Sequence, residues 1–194
     1  MSLHPSTQTI RDRIRAARRT DYRSTSPPGR TTDRRGRTVR LYRYGDGPVD
    51  DEFGALTELY RTFDPEQRVA GVPPPGEDAI RRWLTAILAG HCVVAWADDR
   101  AVGQVVVVPD PPDGHELAIF VDRSYQRAGV GSALMGAILR VAAAAGLDRL
   151  HLLTENYHMV RLAERFGFAV TDRCAGQTTL ARHVSGPATE ASER

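Results

Sequence analysis

Hydrophobic positions fall into a regular pattern from about Thr38 onward, where Val39, Leu41, Tyr42 and Tyr44 read as a first strand. Asp50 and Asp51 then introduce a helix whose apolar side is Phe53, Leu56, Leu59, Tyr60 and Phe63. Pro73-Pro74-Pro75-Gly76 interrupts the chain, and the next helix is expected from about Glu77 to Leu88. Cys92 to Ala97 and Val102 to Val108 are β-rich runs separated by the polar turn Asp98-Asp99-Arg100, a hairpin signal. A turn-rich stretch, Pro109 to Gly114, precedes an alternating strand from Glu116 to Val121. Val130, Leu134, Ile138 and Val141 step at helical spacing to Ala145, and Gly146 ends that helix. A short strand at Leu150 to Leu153, a helix from about Tyr157 to Arg165 and a second hairpin, Phe168 to Arg173 with Gln177 to Arg182, complete the pattern. Strands in hairpins mixed with helices make this an α+β chain without an evident internal repeat.

The flanks differ. Residues 1–37 are rich in Arg, Ser, Thr and Pro with little sustained periodicity, although Ile10, Ile14 and Ala17 would line one face of a short basic helix. Disorder is expected there and in residues 184–194, leaving one domain over residues 38–183. The chain has 194 residues and 41% hydrophobic content, enough for one proper core. All 26 of its basic residues are arginines, a bias that a GC-rich genome produces without selection for function. A net charge of +2 hides an asymmetry: residues 1–43 hold 12 arginines against Asp12, Asp21 and Asp33, so they carry +9 and the remaining residues −7. The basic tail reads as an unspecific solvated segment, as a tether to nucleic acid or an anionic surface, or as a transit peptide, against which the lysine-free composition argues. With no apolar run of eighteen residues and no signal-peptide core, a soluble, cytoplasmic protein without membrane partners is expected. Cys92 and Cys174 sit in apolar, strand-like surroundings and are expected to be reduced, buried and structural, with no metal cluster.

The candidate chemistry starts at Gln126-Arg127-Ala128-Gly129-Val130-Gly131, between a strand and the start of a helix. Unpaired N–H groups and the positive end of the helix dipole make such a turn a phosphate cradle, while two glycines also suffice for a plain strand-to-helix turn. A dinucleotide fingerprint would need a third glycine where Leu134 stands, and a nucleotide triphosphate loop would need a lysine, which the chain lacks. A pyrophosphate carried by another cofactor class remains.

The order of elements and two motifs resemble the GNAT acyltransferase superfamily. The loop Gln126 to Gly131 is similar to the family's Gln/Arg-x-x-Gly-x-Gly/Ala motif, and Asn156, Met159, Leu162 and Gly167-Phe168 are similar to its downstream segment. The resemblance covers about residues 38–182 and implies a mixed, mostly antiparallel central sheet flanked by about four helices, with acetyl-CoA as cosubstrate and no metal. Leu59 to Arg68 and Glu155-Asn156-x-x-Met159 look most like bacterial and archaeal protein lysine acetyltransferases.

Read through that resemblance, the backbone from Gln126 and Arg127 through Ala128, Gly129, Val130 and Gly131 to Ser132 is expected to hold the pyrophosphate, with the Arg127 guanidinium as an extra contact. A lysine amine with a pKa of about 10.4 needs a base. Glu116, ten residues before Gln126, is the candidate; alternation puts it on one face with Ala118 and Phe120 and puts His115 on the other. The alternative for Glu116 is a solvent-facing strand residue. The backbone N–H of Phe120 or Val121 is expected to polarise the thioester carbonyl. Ala163 stands where many family members carry a tyrosine general acid; Tyr157 or His158 are substitutes, or the thiolate leaves unassisted. The resemblance gives Asn156 a hydrogen bond to the pantetheine arm, against the alternative of a helix cap. The expected function is acetyl transfer to a primary amine, a protein lysine or a small molecule such as a polyamine or aminoglycoside. The rival is a non-catalytic acyl-CoA-sensing module tethered through its tail to nucleic acid or a partner.

Overall fold

The computed structural model describes residues 29–67 and 72–184. Eight strands form one sheet, β1 (Gly29–Thr32), β2 (Thr38–Arg43), β3 (His91–Ala97), β4 (Arg100–Pro109), β5 (His115–Val121), β6 (Arg149–Thr154), β7 (Ala169–Cys174) and β8 (Gln177–His183), in the order β1-β2-β3-β4-β5-β6-β8-β7. Every neighbouring pair is antiparallel except β5 and β6, which are parallel. Among the described residues four α-helices cover the sheet: α1 (Glu52–Arg61), α2 (Glu77–Ile87), α3 (Val130–Ala144) and α4 (Tyr157–Arg165). This is the expected α+β architecture.

The sheet has a core on each face. On one, Leu134, Met135 and Ile138 of α3 pack on Val39, Val93, Val105, Val107 and Leu117, joined by Val160 and Ala163 of α4. On the other, Leu56, Leu59 and Tyr60 of α1 and Ile80, Leu84 and Ile87 of α2 pack on Cys92, Val94, Trp96, Val106 and Val108. Strands β3 and β4 are buried on both faces, which is why Cys92-Val93-Val94-Ala95-Trp96 and Val105-Val106-Val107-Val108 are apolar without alternation. Gly103 of β4 admits α3 closely: a Cβ there would lie 3.0 Å from both the Leu134 side chain and the Phe120 carbonyl.

Two expectations need correction. The fold does not begin at residue 38, because β1 pairs with β2 from Gly29↔Leu41 to Thr32↔Thr38. Gly29-Arg30-Thr31-Thr32 has no apolar alternation to announce it, and the hairpin is closed by polar bonds instead. Asp33 Oδ1 accepts the N–H of Arg35 (2.8 Å) and Arg37 (2.9 Å), and Oδ2 accepts Arg37 Nε (2.7 Å). The disorder expected for the rest of the N-terminal tail and for the C-terminal tail lies outside the described residues. Secondly, Cys174 is exposed, because β7 is an edge strand with all six residues open to solvent and a register shift between Val170 and Asp172. Cys92 is free and buried, as expected; burial pushes its thiol up to about 12, against the lowering effect of its bond from Gln104 Nε2 at 3.0 Å.

Candidate active site

Strands β5 and β6 pair only at His115↔Leu150 and Glu116↔His151. Beyond Glu116 no residue of β5 pairs with β6, which leaves that edge of β5 open as far as the loop that leads into α3. β5 remains bonded to β4 along its whole length, from Pro109↔His115 to Gly103↔Val121. Asp122 N–H donates to Val102 O at 2.9 Å, which fixes the alternation of that antiparallel ladder. By that alternation Glu116, Ala118 and Phe120 direct N–H and C=O to β4, whereas Ile119 and Val121 direct theirs into the gap. Phe120 is therefore corrected as a candidate for carbonyl polarisation: its N–H is committed to Gln104 of β4. Val121 keeps the geometry, and Ile119, which sequence reasoning missed, shares it.

The loop is held from several sides. Gln126 Nε2 donates to Val121 O at 2.9 Å, so its side chain ties the loop back to β5. Arg127 adopts a left-handed backbone (φ 55°), and its guanidinium meets His158 Nε2 of α4 at 2.9 Å. The Ala128 and Val130 side chains are buried, leaving only their backbone to face a ligand. Gly129 precedes α3 with φ 99°, a conformation that side chains disfavour, and its carbonyl accepts the N–H of Ala133 at 3.0 Å. No side chain caps this helix, so the N–H groups of Val130, Gly131 and Ser132 have no partner within it. A Cβ on Gly131 would make only ordinary contact with Leu162 and Val121. Arg165 reaches Ser132 Oγ at 3.4 Å. Three amides at the positive end of a fifteen-residue helix, with Arg127 and Arg165 beside them, fit a pyrophosphate.

The β1–β2 turn, invisible in the hydrophobic pattern, braces this loop. Arg34 N–H donates to Ala128 O at 2.9 Å, Arg35 and Arg37 each reach Ser124 O at 2.9 Å, and the Arg37 guanidinium lies 3.6 Å over the Tyr125 ring.

Glu116 points to the face covered by α1 and α2, as alternation predicted: Leu117 belongs to the α3 core, Ala118 and Phe120 to the other. Along that face Tyr60, Phe63, Trp83 and Phe120 meet edge-on or tilted, with ring centroids 4.9 to 6.2 Å apart. His115 is on the α3 side, and burial lowers its pKa against the pull of Asp148. Asn156 caps α4, its Oδ1 accepting His158 N–H at 2.9 Å, which leaves its amide nitrogen for another partner. Tyr157 is 69% exposed at the start of α4, past the end of β6, whereas Glu116 pairs near that strand's beginning. The structure does not bring Tyr157 and Glu116 together. Ala163 is fully buried in the α3–α4 core, so a tyrosine at that position would have to displace packing. A cleft of about 490 Å³ lies at the other end of β5 from Glu116, lined by Glu58, Phe63, Asp64, Arg100, Asp122 and Arg123. Its charges pair across it, Arg100 with Asp122 at 2.5 Å and Arg123 with Asp64 at 3.1 Å. Among the described residues no cluster of three or more metal-ligating side chains occurs, and no helix is long and apolar enough to cross a membrane.

Comparison with known proteins gives this geometry a family. The model of the acetyltransferase (GNAT) family matches residues 55–168, which span β3 to β6, both sides of the gap and the loop. The GNAT domain of a Streptomyces lividans PAT is 19% identical, with a TM-score of 0.66, covering 82% of this chain and 99% of that one. A Salmonella typhimurium protein described as an acetyltransferase, solved with its cofactor acetyl-CoA, is 17% identical with a TM-score of 0.59 over 79% and 99% of the two chains. A protein described as a phosphinothricin N-acetyltransferase is 20% identical with a TM-score of 0.60 over 76% and 99%. A search of curated proteins found no match. A strand pair that parts beside a glycine loop, inside a segment that the family model spans, makes this chain a member of the acetyltransferase (GNAT) family, whose enzymes transfer an acetyl group from acetyl-CoA to an amine.

Proposed function

We propose that this enzyme acetylates a lysine side chain of a protein, with Glu116 as the base that deprotonates the amine. The observation that carries the reading is the position of Glu116 at the point where β5 and β6 part, on the α1–α2 face and in the same strand as the gap-facing amides of Ile119 and Val121. Acetyl-CoA supplies an activated thioester. The N–H groups of Val130, Gly131 and Ser132, with Arg127 and Arg165, hold its pyrophosphate, and the free amide nitrogen of Asn156 reaches the pantetheine arm. The Val121 N–H stabilises the negative charge that builds on the carbonyl oxygen, a role that needs a preorganised donor and no side chain. With Ala163 buried and Tyr157 exposed, the thiolate leaves unassisted, as a thiol of pKa about 8.5 permits near neutrality.

A protein lysine is favoured because Leu59 to Arg68 and Glu155-Asn156-x-x-Met159 resemble bacterial and archaeal protein lysine acetyltransferases. A small amine is the second reading, supported by the structural likeness to a phosphinothricin N-acetyltransferase. Thiol release from acetyl-CoA, measured with lysine peptides and a panel of small amines, separates the two. Turnover with peptides should fall at least about a hundredfold in Glu116→Gln while acetyl-CoA affinity stays within twofold. Tight acetyl-CoA binding without turnover on any acceptor would mean an acyl-CoA-sensing module instead.

A further inference from the structure

His151 is the cross-strand partner of Glu116 in the last pair that β5 and β6 make before they separate. Paired residues of neighbouring strands point to the same face, so the imidazole and the carboxylate project to one side of the sheet from backbones about 4.8 Å apart. On its other side His151 Nε2 lies 2.8 Å from Asp110 Oδ2, both side chains being almost closed to solvent, at 13% and 12% exposure. Asp110 is held in the β4–β5 turn by two backbone bonds, its N–H donating to Gly114 O and its carbonyl accepting Asp113 N–H, each at 2.8 Å. A neutral imidazole donating from Nε2 to Asp110 keeps its lone pair on Nδ1, which is buried without a hydrogen-bond partner.

We propose that the His151–Asp110 pair is a proton relay behind Glu116, taking up the proton that the acceptor amine releases and passing it out through the β4–β5 turn. The proposal rests on the acetyltransferase reading above. The reaction turns an ammonium and a thioester into an amide, a thiol and one free proton: the N–C bond forms, the C–S bond breaks, and the thiolate keeps one of the two protons lost from nitrogen. The other must leave a half-closed site. Glu116 receives it, a bridging water hands it to His151 Nδ1, Asp110 stabilises the imidazolium as a buried carboxylate does in other histidine–aspartate pairs, and the imidazolium then gives up its proton to solvent at the β4–β5 turn. The groups around the ring suit this. Burial lowers the His151 pKa, which keeps the ring neutral and receptive, while the negative charges of Glu116 and Asp113 raise it and Arg149 lowers it. His115, on the opposite face, is electrostatically coupled to it as well, and β8 presents only Ala181 at the same register. Glutamine at 151 would keep the size and polarity and lose the proton-accepting nitrogen.

The test uses the full chain as wild type, Glu116→Gln, His151→Gln and Asp110→Asn. Steady-state rates with acetyl-CoA and a lysine peptide are measured from pH 5.5 to 9, and the histidine ring is titrated by NMR without ligand. His151→Gln should lower kcat about 10- to 100-fold with the KM for acetyl-CoA within twofold. Asp110→Asn should lower kcat by less and move the acid limb of the profile to lower pH, because removing the carboxylate lowers the pKa of the imidazole. In the NMR titration the His151 pKa should fall in both Asp110→Asn and Glu116→Gln. A kcat within twofold of wild type in His151→Gln with an unmoved acid limb overturns the relay, as does a His151 titration indifferent to Glu116→Gln. These outcomes leave acetyl transfer standing if wild type turns over; a wild type that binds acetyl-CoA and acetylates nothing removes both.

Discussion

Gln104 is the polar residue at the centre of the α1–α2 core. It is fully buried, accepts the Tyr60 hydroxyl through Oε1 and donates to Cys92 Sγ, so three polar groups from α1, β3 and β4 satisfy one another where water does not reach. Burial raises the Tyr60 pKa well above its ordinary value, with Cys92 adding to the effect, so the hydroxyl stays protonated and donates as this network requires. Gln104→Leu strands both partners and should destabilise the fold by about 1–3 kcal/mol in urea unfolding, and Tyr60→Phe in the same chain should restore part of that. A single variant as stable as wild type would count against the network. Glu116 was legible at this scale, because alternation with Leu117 and Ile119 fixes its face. The choice between Phe120 and Val121 was not, since period-two alternation fixes side-chain faces and says nothing about which neighbour an N–H bonds. His151 was also silent: a lone histidine in a short strand has no partner until the strands are placed side by side.

At the scale of elements, the β1–β2 hairpin is the unexpected part of the site. Asp33 closes it and its tip carries Arg34 to the carbonyl of Ala128. Burial alone would raise the Asp33 pKa; the Arg37 amide and guanidinium and the Arg35 amide outweigh it and hold the carboxyl below its ordinary value. A lowered folded-state pKa stabilises the hairpin above the unfolded pKa, and the contribution is lost as pH falls through the lowered value. The Arg35 and Arg37 amide resonances should therefore report a transition below the ordinary aspartate range, and Asp33→Ala should abolish it. The same variant should weaken acetyl-CoA binding severalfold in calorimetry with little change in kcat, because the brace acts on the loop and not on the chemistry. Helices and inner strands were legible because each buries a periodic face; β1 was not, because its pairing is made by backbone and arginine bonds without apolar content.

Across the whole molecule, these corrections change where a functional truncation belongs. Removing residues 1–28 keeps every strand of the sheet, whereas removing residues 1–37 deletes β1 and uncovers β2 as an edge. The longer deletion should lower Tm by several degrees and weaken acetyl-CoA binding; the shorter should leave both near wild type while testing, by salt-dependent retention on nucleic acid, whether the basic tail is a tether. Retention that survives removal of residues 1–28 unchanged would reject the tether. The sequence by itself determined the classes of element from β2 onward, their order and the glycine loop, because these rest on periodicity and on backbone freedom within a few residues. Tertiary structure alone decided that β5 pairs in parallel with β6 for two residues and then parts from it, that Ile119 and Val121 face the opening, and that Glu116, His151 and Asp110 converge at its apex. Those facts depend on strand pairings between segments about 35 residues apart, and no local pattern encodes which distant strand a given edge will meet.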